Sequence, residues 1–572
     1  MRNVIPADRR AWARTLIPTL SAGLYIGRVA AETATQPWRP GALALVVATG
    51  LALGALIAWV LRRIRWESLP LVLLLGYVLW PRADVSLAAG LALAAAVTLV
   101  GWNVGRRRAT PRVAPAGASS RPWGEACVLV AALALYVATL APSVLPADAG
   151  EFQLVGAVLG IAHPPGYALY TMLARLFTLL PLGDPATRVN LFAAVCAALA
   201  VAVLARAVRR ETGSVAAGLI AAGALGLSTT CWTQATTANI RSLTALFTAL
   251  CLALLLRWDR TRSRRDLIGV AVCFGLGVGH HSSLALLGLP FLAHVVVSAP
   301  RLVLRPREWL PALGAMLATT PVLLYLPLRS AMGAPFDPEP IRSLNDFLGH
   351  VLATGFRGDM LYFRTAGELA ARGRVGLDIL RLEFGPVLLA AALAGAVLLA
   401  LRRPRALLLL GGAWLVNVLA AITYRAPQTV EYLIPSYVAL AFALGLGLGL
   451  LPPGGRWRAR RVGLAAGLAV AVIVLGARNL PSMRALSADD STRRDAVALL
   501  DAAPEDALIL ANWHRATPLW YLQTVEGRRP DVTVQYVYPE GATPNEAVWL
   551  RCIDENIDTR PVLVTNRFHA FE

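Results

Sequence analysis

The fold is decided by the stretch Ala147-Asp148-Ala149-Gly150-Glu151-Phe152, together with His163-Pro164-Pro165-Gly166-Tyr167 shortly after it. Asp148 and Glu151 are three residues apart, so in a helix they share one face and both can reach one ligand. A long apolar run precedes this stretch, and the next begins near Leu191, which places the stretch in a connection between membrane spans. Carboxylates at a membrane boundary are usually functional where they face a cavity. The alternative is a solvated loop with a helix-capping carboxylate.

The composition is that of a polytopic membrane protein. Of 572 residues, 57% are hydrophobic and 15% charged, and the mean hydropathy is +0.58. A typical soluble domain has about 25% charged residues. The net charge of +20 comes entirely from Arg, much of it clustered in short loops between apolar segments, so it reports membrane topology rather than nucleic-acid binding.

Several classes of function have no motif in this sequence. The six Cys form no CxxC pair or Cys/His zinc spacing. The sequence also has no Walker A loop, no GxSxG, no HExxH and no dinucleotide-binding fingerprint. ATP-driven chemistry and soluble-type hydrolysis are therefore unsupported.

About fifteen apolar segments are candidate spans, and the Arg-rich loops between them all fall on one side in a single consistent topology. That topology puts the N-terminus in the cytoplasm and the acidic loop outside. We expect four parts: an N-terminal four-helix membrane segment 1–105, a basic cytoplasmic linker 106–122, a membrane unit 123–480 with outer loops 142–185 and 329–384, and an outer tail 481–572. A helix at the membrane surface is predicted near 344–351.

The tail is polar and alternates between helical and strand patterns. Helices are predicted at 490–502, 516–526 and 544–557, and strands at 507–511, 531–537 and 561–565. The pattern indicates a small extracytoplasmic α/β domain, which looks incomplete because the chain stops just after a strand.

Several polar residues of the outer turns are candidates for binding an anionic ligand. His163 can bind phosphate or relay a proton, and Arg188 can pair with phosphate, although each can also be structural. Arg241 is expected one turn inside an apolar span, where it snorkels or faces a cavity. His280 and His281 are adjacent, so their side chains diverge and cannot serve one site equally.

Several motifs resemble a family of bacterial membrane proteins related to protein O-mannosyltransferases, which share the GT-C glycosyltransferase architecture. The similarity covers about residues 123–365, and its motifs are the following: Asp148-x-Gly150-Glu151-Phe152, Gly160-Ile161-Ala162-His163-Pro164-Pro165-Gly166-Tyr167, Arg188-Val189-Asn190-Leu191, Trp232-x-Gln234-Ala235, Gly277-x-Gly279-His280-His281 and Tyr325-Leu326-Pro327-Leu328-Arg329-Ser330.

The resemblance implies an all-α GT-C-like helical bundle in a bacterial inner membrane. It implies transfer of a sugar, with mannose as a candidate, from a polyprenyl-phosphate donor to a protein, lipid or glycan acceptor on the outer face. Asp148, and Glu151 second, are the implied catalytic carboxylates, and they are also the ligands if a divalent metal ion takes part. The residues implied for binding substrate or the donor phosphate are His163, Tyr167, Arg188, Asn190, Gln234, Arg241, His280, His281 and Arg329.

Two other classes of function remain open. One is a transporter or flippase for a lipid-linked or anionic solute, although few intramembrane charges are present to line a pathway. The other is a catalytically silent relative that acts as a scaffold, because Asn239-Ile240-Arg241 departs from the family pattern.

Overall fold

The computed structural model describes residues 7–33, 40–63, 68–80, 87–88, 91–92, 94–95, 98–99, 123–426, 428–452, 457–541 and 543–569. The predicted linker 106–122 lies outside these residues. The chain divides into two compact units. One comprises Met1–Val113 with Leu393–Pro404, and the other comprises Ala114–Ala392 with Arg405–Glu572.

The first unit is a small helical cluster. It contains helices α1 (Ala7–Thr33) and α2 (Pro40–Arg63), a 3₁₀ segment (Leu69–Leu74) and the short α3 (Leu75–Val78). Helices α1 and α2 meet at glycines, where a Cβ added to Gly54 would lie 2.8 Å from the carbonyl oxygen of Thr19. Small residues allow such close approach of helix backbones.

The second unit carries most of the helices. They are α4 (Trp123–Ala138), α5 (Ala147–Val158), α6 (Ala168–Thr178), α7 (Pro185–Thr212), α8 (Val215–Gly226), α9 (Thr229–Thr236), α10 (Arg241–Thr261), α11 (Arg264–His280), α12 (Gly288–Ser298), α13 (Pro306–Leu317), α14 (Tyr325–Ala331), α15 (Leu344–Val351), α16 (Ala366–Arg402, which ends beyond this unit), α17 (Pro404–Thr423), α18 (Thr429–Tyr432), α19 (Ile434–Gly449) and α20 (Trp457–Ala488). The helix predicted near 344–351 is present as α15.

Among the described residues, six helices are long and apolar enough to cross a membrane, or seven if the bent pair α8–α9 is one span. The expected multi-pass membrane architecture is present, but the predicted count of about fifteen is not confirmed. Several predicted spans are short or interrupted. The segment 282–299, for example, begins with the 3₁₀ turns Ser282–Leu287 before the 11-residue α12.

The tail contains three helices and three strands close to their predicted positions. They are α21 (Ser491–Ala502), β1 (Leu508–Ala511), α22 (Trp513–Glu526), β2 (Thr533–Tyr536), α23 (Asn545–Asp554) and β3 (Val562–Val564). The strands form a parallel sheet in the order β2-β1-β3, with Leu508 opposite both Thr533 and Val562. All four residues of β1 are buried, as expected for a central strand covered on both faces.

The tail packs against the connection of the membrane unit that contains α5. Val144 and Leu154 of that connection and Ala186 of α7 share one hydrophobic core with tail residues that include Leu519 and Leu522. The backbone N–H of Ala186 also donates to the hydroxyl of Tyr521 at 3.0 Å. This shared core fixes the tail directly beside the acidic helix α5.

Candidate active site

Helix α5 carries both predicted carboxylates, but their side chains occupy different environments. Glu151 has no exposed surface, whereas Asp148 is partly exposed. Asp148 lies in the first turn, where the helix dipole favours a negative charge. The two carboxylates therefore do not open to one ligand together, although they share one short helix as the sequence predicts.

Glu151 is bonded to His163 through both carboxylate oxygens. Its Oε1 accepts the backbone N–H of His163 at 2.8 Å, and its Oε2 lies 2.5 Å from Nδ1 of the imidazole. Burial by itself lowers the pKa of His163, but the charge and hydrogen bond of Glu151, aided by Asp148 and Glu339, raise that pKa to about 9. His163 is thus an imidazolium at neutral pH, with a side chain that is 24% exposed.

Asp148 is held by a residue of the tail. The indole Nε1–H of Trp513, the first residue of α22, donates to Oδ1 of Asp148 at 2.7 Å. The Trp513 ring also lies edge-on to His163, with 6.1 Å between ring centroids. Because 365 residues separate Trp513 from Asp148 in the chain, no local sequence signal indicates this contact.

Tyr167 lies between the two predicted histidine sites. Its ring centroid is 5.4 Å from that of His163 and 5.7 Å from that of His281. Its hydroxyl is 3.4 Å from Nε2 of His163. Phe152 packs edge-on against it at 5.2 Å, so the aromatic residue beside the acidic pair fixes the Tyr167 ring.

Arg241 is buried at the same centre. Its Nε lies 3.6 Å from Oε2 of Glu431, and its guanidinium carbon lies 4.0 Å above the ring of Tyr432. Burial raises the pKa of Glu431, and the charge of Asp148 adds to this, while Arg241 opposes it. Asp148 and Arg241 therefore belong to one electrostatic cluster, assembled from α5, α10 and the loop helix α18.

The expected position of Arg241 needs correction. Arg241 is the first residue of α10 rather than one turn inside a span. The reason is Asn239, whose side-chain oxygen accepts the backbone N–H groups of Arg241 at 2.8 Å and Ser242 at 3.1 Å. Such a side chain satisfies the unpaired N–H groups at the start of a helix. The motif Asn239-Ile240-Arg241 therefore begins α10 and fixes Arg241 at its N-terminus.

Gln234 lies on the short helix α9 next to this arginine. It lines a small internal cavity that also includes Arg241, Ser242 and Tyr136. Within the part of the chain that the structure describes, its buried Oε1 has no hydrogen-bond partner. Buried polar atoms are normally paired, so an orphaned amide oxygen here is consistent with a ligand-binding position.

His280 and His281 point in different directions, as expected for adjacent residues. His280 is buried against Tyr170 and Phe247, and its Nε2 lies 3.0 Å from the carbonyl of Ile240. His281 packs against Tyr167, and its Nδ1 accepts the backbone N–H of Ser283 at 3.1 Å. Of the two histidines, only His281 therefore contacts Tyr167, whose ring also contacts His163.

Three other residues that the sequence predicts to bind the sugar donor form hydrogen bonds within the protein instead. Arg188 donates to the carbonyls of Thr178 at 2.6 Å and Gly183 at 2.8 Å. The amide nitrogen of Asn190 donates to Ala141, while its amide oxygen accepts from Ala238 and Gln153. The Nε of Arg329 donates to Leu159 at 2.9 Å. These contacts shape the loops around α5 and do not bring the three side chains to the centre.

The carboxylates do not form a ready metal site. Over the described residues, no group of three or more His, Cys, Asp or Glu side chains is arranged to hold a metal ion. Both oxygens of Glu151 contact His163, Oδ1 of Asp148 accepts from Trp513, and Glu431 is paired with Arg241. The donor set therefore does not fit a divalent cation.

Comparisons with known proteins show what this chain is similar to. Residues 148–303 match the model of the "Protein O-mannosyl-transferase TMEM260 N-terminal domain", and the matched range begins at Asp148. Mouse protein O-mannosyl-transferase TMEM260 is 29% identical over 455 residues, covering 73% of this chain and 64% of the mouse protein. The chain is similar in sequence to the protein O-mannosyl-transferases. A Dictyostelium discoideum relative of the same name is 23% identical over 293 residues, covering 47% of this chain and 36% of its own.

The fold has a solved counterpart. ArnT from Cupriavidus metallidurans, solved bound to undecaprenyl phosphate, superposes with a TM-score of 0.53 at 16% identity over 78% of this chain and 90% of ArnT. The GT-C-type architecture expected from the sequence is thus confirmed. The chain spans less than two thirds of the length of each of these two curated relatives.

Four residues at the centre are not found by motif reading. They are Trp513, Glu431, Tyr432 and Glu339. Glu431 and Tyr432 had a usable signal, because they are a charged residue and an aromatic residue at the junction of two apolar segments. Trp513 and Glu339 reach the centre only through tertiary packing.

Proposed function

We propose that the protein is a membrane glycosyltransferase that moves a sugar, with mannose as the first candidate, from a polyprenyl-phosphate donor to a hydroxyl of a protein acceptor. The observation that carries this is the centre itself. A partly exposed carboxylate, Asp148, lies in the same electrostatic cluster as two cations, His163 paired with Glu151 and Arg241 paired with Glu431. The protein acceptor follows the names of the relatives, and the lipid phosphate follows the ligand of ArnT.

The proposed chemistry divides between these groups. The acceptor oxygen attacks the anomeric carbon, and its proton passes to the carboxylate of Asp148 as general base. The bond between the anomeric carbon and the phosphate oxygen breaks, and the negative charge left on the lipid phosphate is stabilised by His163 and Arg241. Every bond formed and broken is then accounted for by one carboxylate and two cations.

In this proposal Glu151 is a positioning residue rather than a second base. Its side chain is fully buried, and both of its oxygens contact His163. A carboxylate in that position orients the imidazole and keeps it charged. Tyr167, Gln234 and His281 line the space around these groups and are the proposed contacts of the sugar or the phosphate.

The proposed orientation follows the Arg-rich loops. We assign the N-terminus to the cytoplasm and the tail, with α5, to the outer face of a bacterial inner membrane. The tail is proposed to be a small α/β domain, and 1–105 a membrane segment outside the transfer unit.

The test is transfer of radiolabelled mannose from a polyprenyl-phosphate-mannose donor to Ser/Thr peptides, in membranes that contain the full chain. Asp148→Asn should reduce transfer by about 10²–10⁴-fold, the usual contribution of a general base. The matched control is Asp501→Asn, which changes a tail carboxylate that is 63% exposed. Equal transfer by Asp148→Asn and wild type would remove Asp148 as the base. Absence of transfer from wild type with every donor tried would favour the scaffold alternative.

A further inference from the structure

A second and larger cavity lies beside the centre described above and shares Glu339 with it. It has a volume of about 600 Å³ and is bounded by the long outer loop, by Pro164 and by Tyr538 of the tail. Ligand pockets in proteins commonly measure about 300–1,000 Å³. The residues proposed to bind the sugar donor do not line this cavity, so the cavity needs a separate explanation.

The cavity adjoins the catalytic centre. Pro164, in its wall, follows His163 directly in the chain. His350, also in the wall, has its Nε2 3.2 Å from the carbonyl of Ala162, which ties the outer loop to the same turn. A substrate seated in the cavity therefore lies beside the turn that carries His163.

A row of aromatic rings connects the cavity to Asp148. The ring of Tyr538 in the wall is 5.6 Å from that of Tyr536, which is 5.2 Å from Trp513. Trp513 in turn donates its indole N–H to Asp148. These amphipathic rings form a continuous surface from the cavity to the proposed base, and aromatic side chains are frequent binding contacts for polypeptides.

The wall is polar, and its charged groups are mainly acidic. Of its twelve residues, three are Asp or Glu and none is Arg, although the chain as a whole has a net charge of +20. Asp359 is paired with Arg425 at 2.7 Å, and Asp346 accepts backbone N–H groups of its own helix cap. Glu339 has a side chain that is 64% exposed, and its Oε2 lies 3.7 Å from Nδ1 of His350.

We propose that this cavity is the acceptor cleft and that it takes a polypeptide segment with a Lys or Arg next to the acceptor hydroxyl, read by Glu339 and seated on Tyr538. The proposal rests on the proposed function, since it names the acceptor of that reaction. Lipid is disfavoured as the occupant because the wall presents carboxylates, Asn345, Thr354 and glycine backbone instead of a continuous apolar surface.

The test is peptide binding in the absence of donor, so that it does not depend on transfer. Two fluorescein-labelled Ser/Thr peptides, which differ only in a Lys or a Glu beside the hydroxyl, are titrated by anisotropy against the purified full chain. We expect the Lys peptide to bind about fivefold tighter, the equivalent of a well-formed exposed ion pair. Glu339→Gln should abolish this preference, and Glu555→Gln, at an exposed carboxylate outside the cavity, should keep it.

A second pair of variants tests the aromatic contact. Tyr538→Ala should weaken both peptides about tenfold, and Tyr538→Phe should restore most of the binding because the ring is retained. The side chains of Glu339 and Tyr538 are both more than 60% exposed, so substitutions at these two positions should not alter the unfolding midpoint. Unchanged affinities in Tyr538→Ala and Glu339→Gln would overturn the assignment of the cleft.

The outcomes also separate this inference from the proposed function. Failure of both peptides to bind wild type would overturn a polypeptide acceptor, and transfer to a lipid or glycan acceptor instead would do the same. Peptide binding with the expected preference, but without any sugar transfer, would retain the cleft and remove the glycosyltransferase. Transfer that depends on Asp148 but not on Glu339 or Tyr538 would retain the enzyme and remove the cleft.

Discussion

Glu151 and His163 form a pair in which one residue keeps the other charged. Burial disfavours the imidazolium, but the adjacent Glu151 carboxylate outweighs this effect and raises the pKa of His163 from 6.5 to about 9. The pair therefore contributes to folding stability fully below about pH 6.5. That contribution is lost as the pH rises through about 9, because the folded protein then releases its extra proton.

This pair predicts a specific dependence of transfer on pH. In wild type, kcat/KM should decline as the pH rises through about 9, when His163 loses its charge. In Glu151→Gln the same decline should move to lower pH, since burial then acts on the imidazole without the carboxylate that raises its pKa most. The measurement is a pH profile of mannose transfer for both proteins. An alkaline decline that stays near pH 9 in Glu151→Gln would show that His163 is not the titrating group.

The sequence indicates the acidic stretch and the turn after it, and the family resemblance ranks Asp148 before Glu151 as the catalytic carboxylate. Only the fold shows their different environments, because it buries Glu151 on His163 and turns Asp148 toward Trp513. Arg188 and Arg329 were equally good candidates because an Arg in an outer loop gives the same signal whether it binds phosphate or loop carbonyls.

At the scale of elements, helix α9 is held by a carboxylate from another helix. Its N-cap residue Ser228 makes no side-chain capping bond. Instead, Glu383 of α16 accepts the backbone N–H of Thr230 at 3.0 Å and also its hydroxyl, and it has no exposed surface. A negative charge at a helix start is favourable. Glu383 thus fixes the short helix that carries Gln234 and leads into Arg241.

We predict that Glu383→Ala destabilises the protein and impairs transfer together. Loss of the acceptor leaves the donors of Thr230 buried and unpaired, which costs about 1–3 kcal/mol. The resulting shift of α9 should reduce transfer, because a misplacement of about 1 Å can cost about 10²-fold in rate. Thermal unfolding in detergent and the transfer assay measure the two effects. Asp378→Ala, at a 69% exposed carboxylate on the same helix, is the matched control and should change neither.

The elements of the tail were predictable and those of the membrane part were less so. Buried Leu508–Ala511 between two polar helical patterns has the period of a central strand, and the helices and strands lie close to the predicted positions. In the membrane part almost every segment is apolar, so hydropathy does not show the 70° bend between α8 and α9 or the break before α12. Those interruptions depend on polar residues such as Ser228 and His281, whose partners are distant in sequence.

At the scale of the whole molecule, the tail and the acidic loop form one structure. Sequence reasoning treats 481–572 as a separate part, but Leu519 and Leu522 share a core with Val144 and Leu154. A Cβ on Gly150 of α5 would lie 2.8 Å from the hydroxyl oxygen of Thr517, so only glycine lets α5 and α22 approach this closely. The tail thus helps to position the proposed base, although the two are separated by 365 residues in the sequence.

The contact between Trp513 and Asp148 should therefore couple the tail to the catalytic loop energetically. Trp513→Phe keeps an aromatic ring but removes the donor to Asp148. In a double-mutant cycle with Asp148→Asn, the effects on unfolding free energy should be non-additive by about 0.5–3 kcal/mol, as for residues in direct contact. The control cycle pairs Asp148→Asn with Tyr521→Phe, which removes a different bond between tail and loop, at Ala186, and should be additive within about 0.5 kcal/mol. If both cycles were additive, the tail would support the loop by packing alone, and the Trp513 bond would not contribute to the position of Asp148.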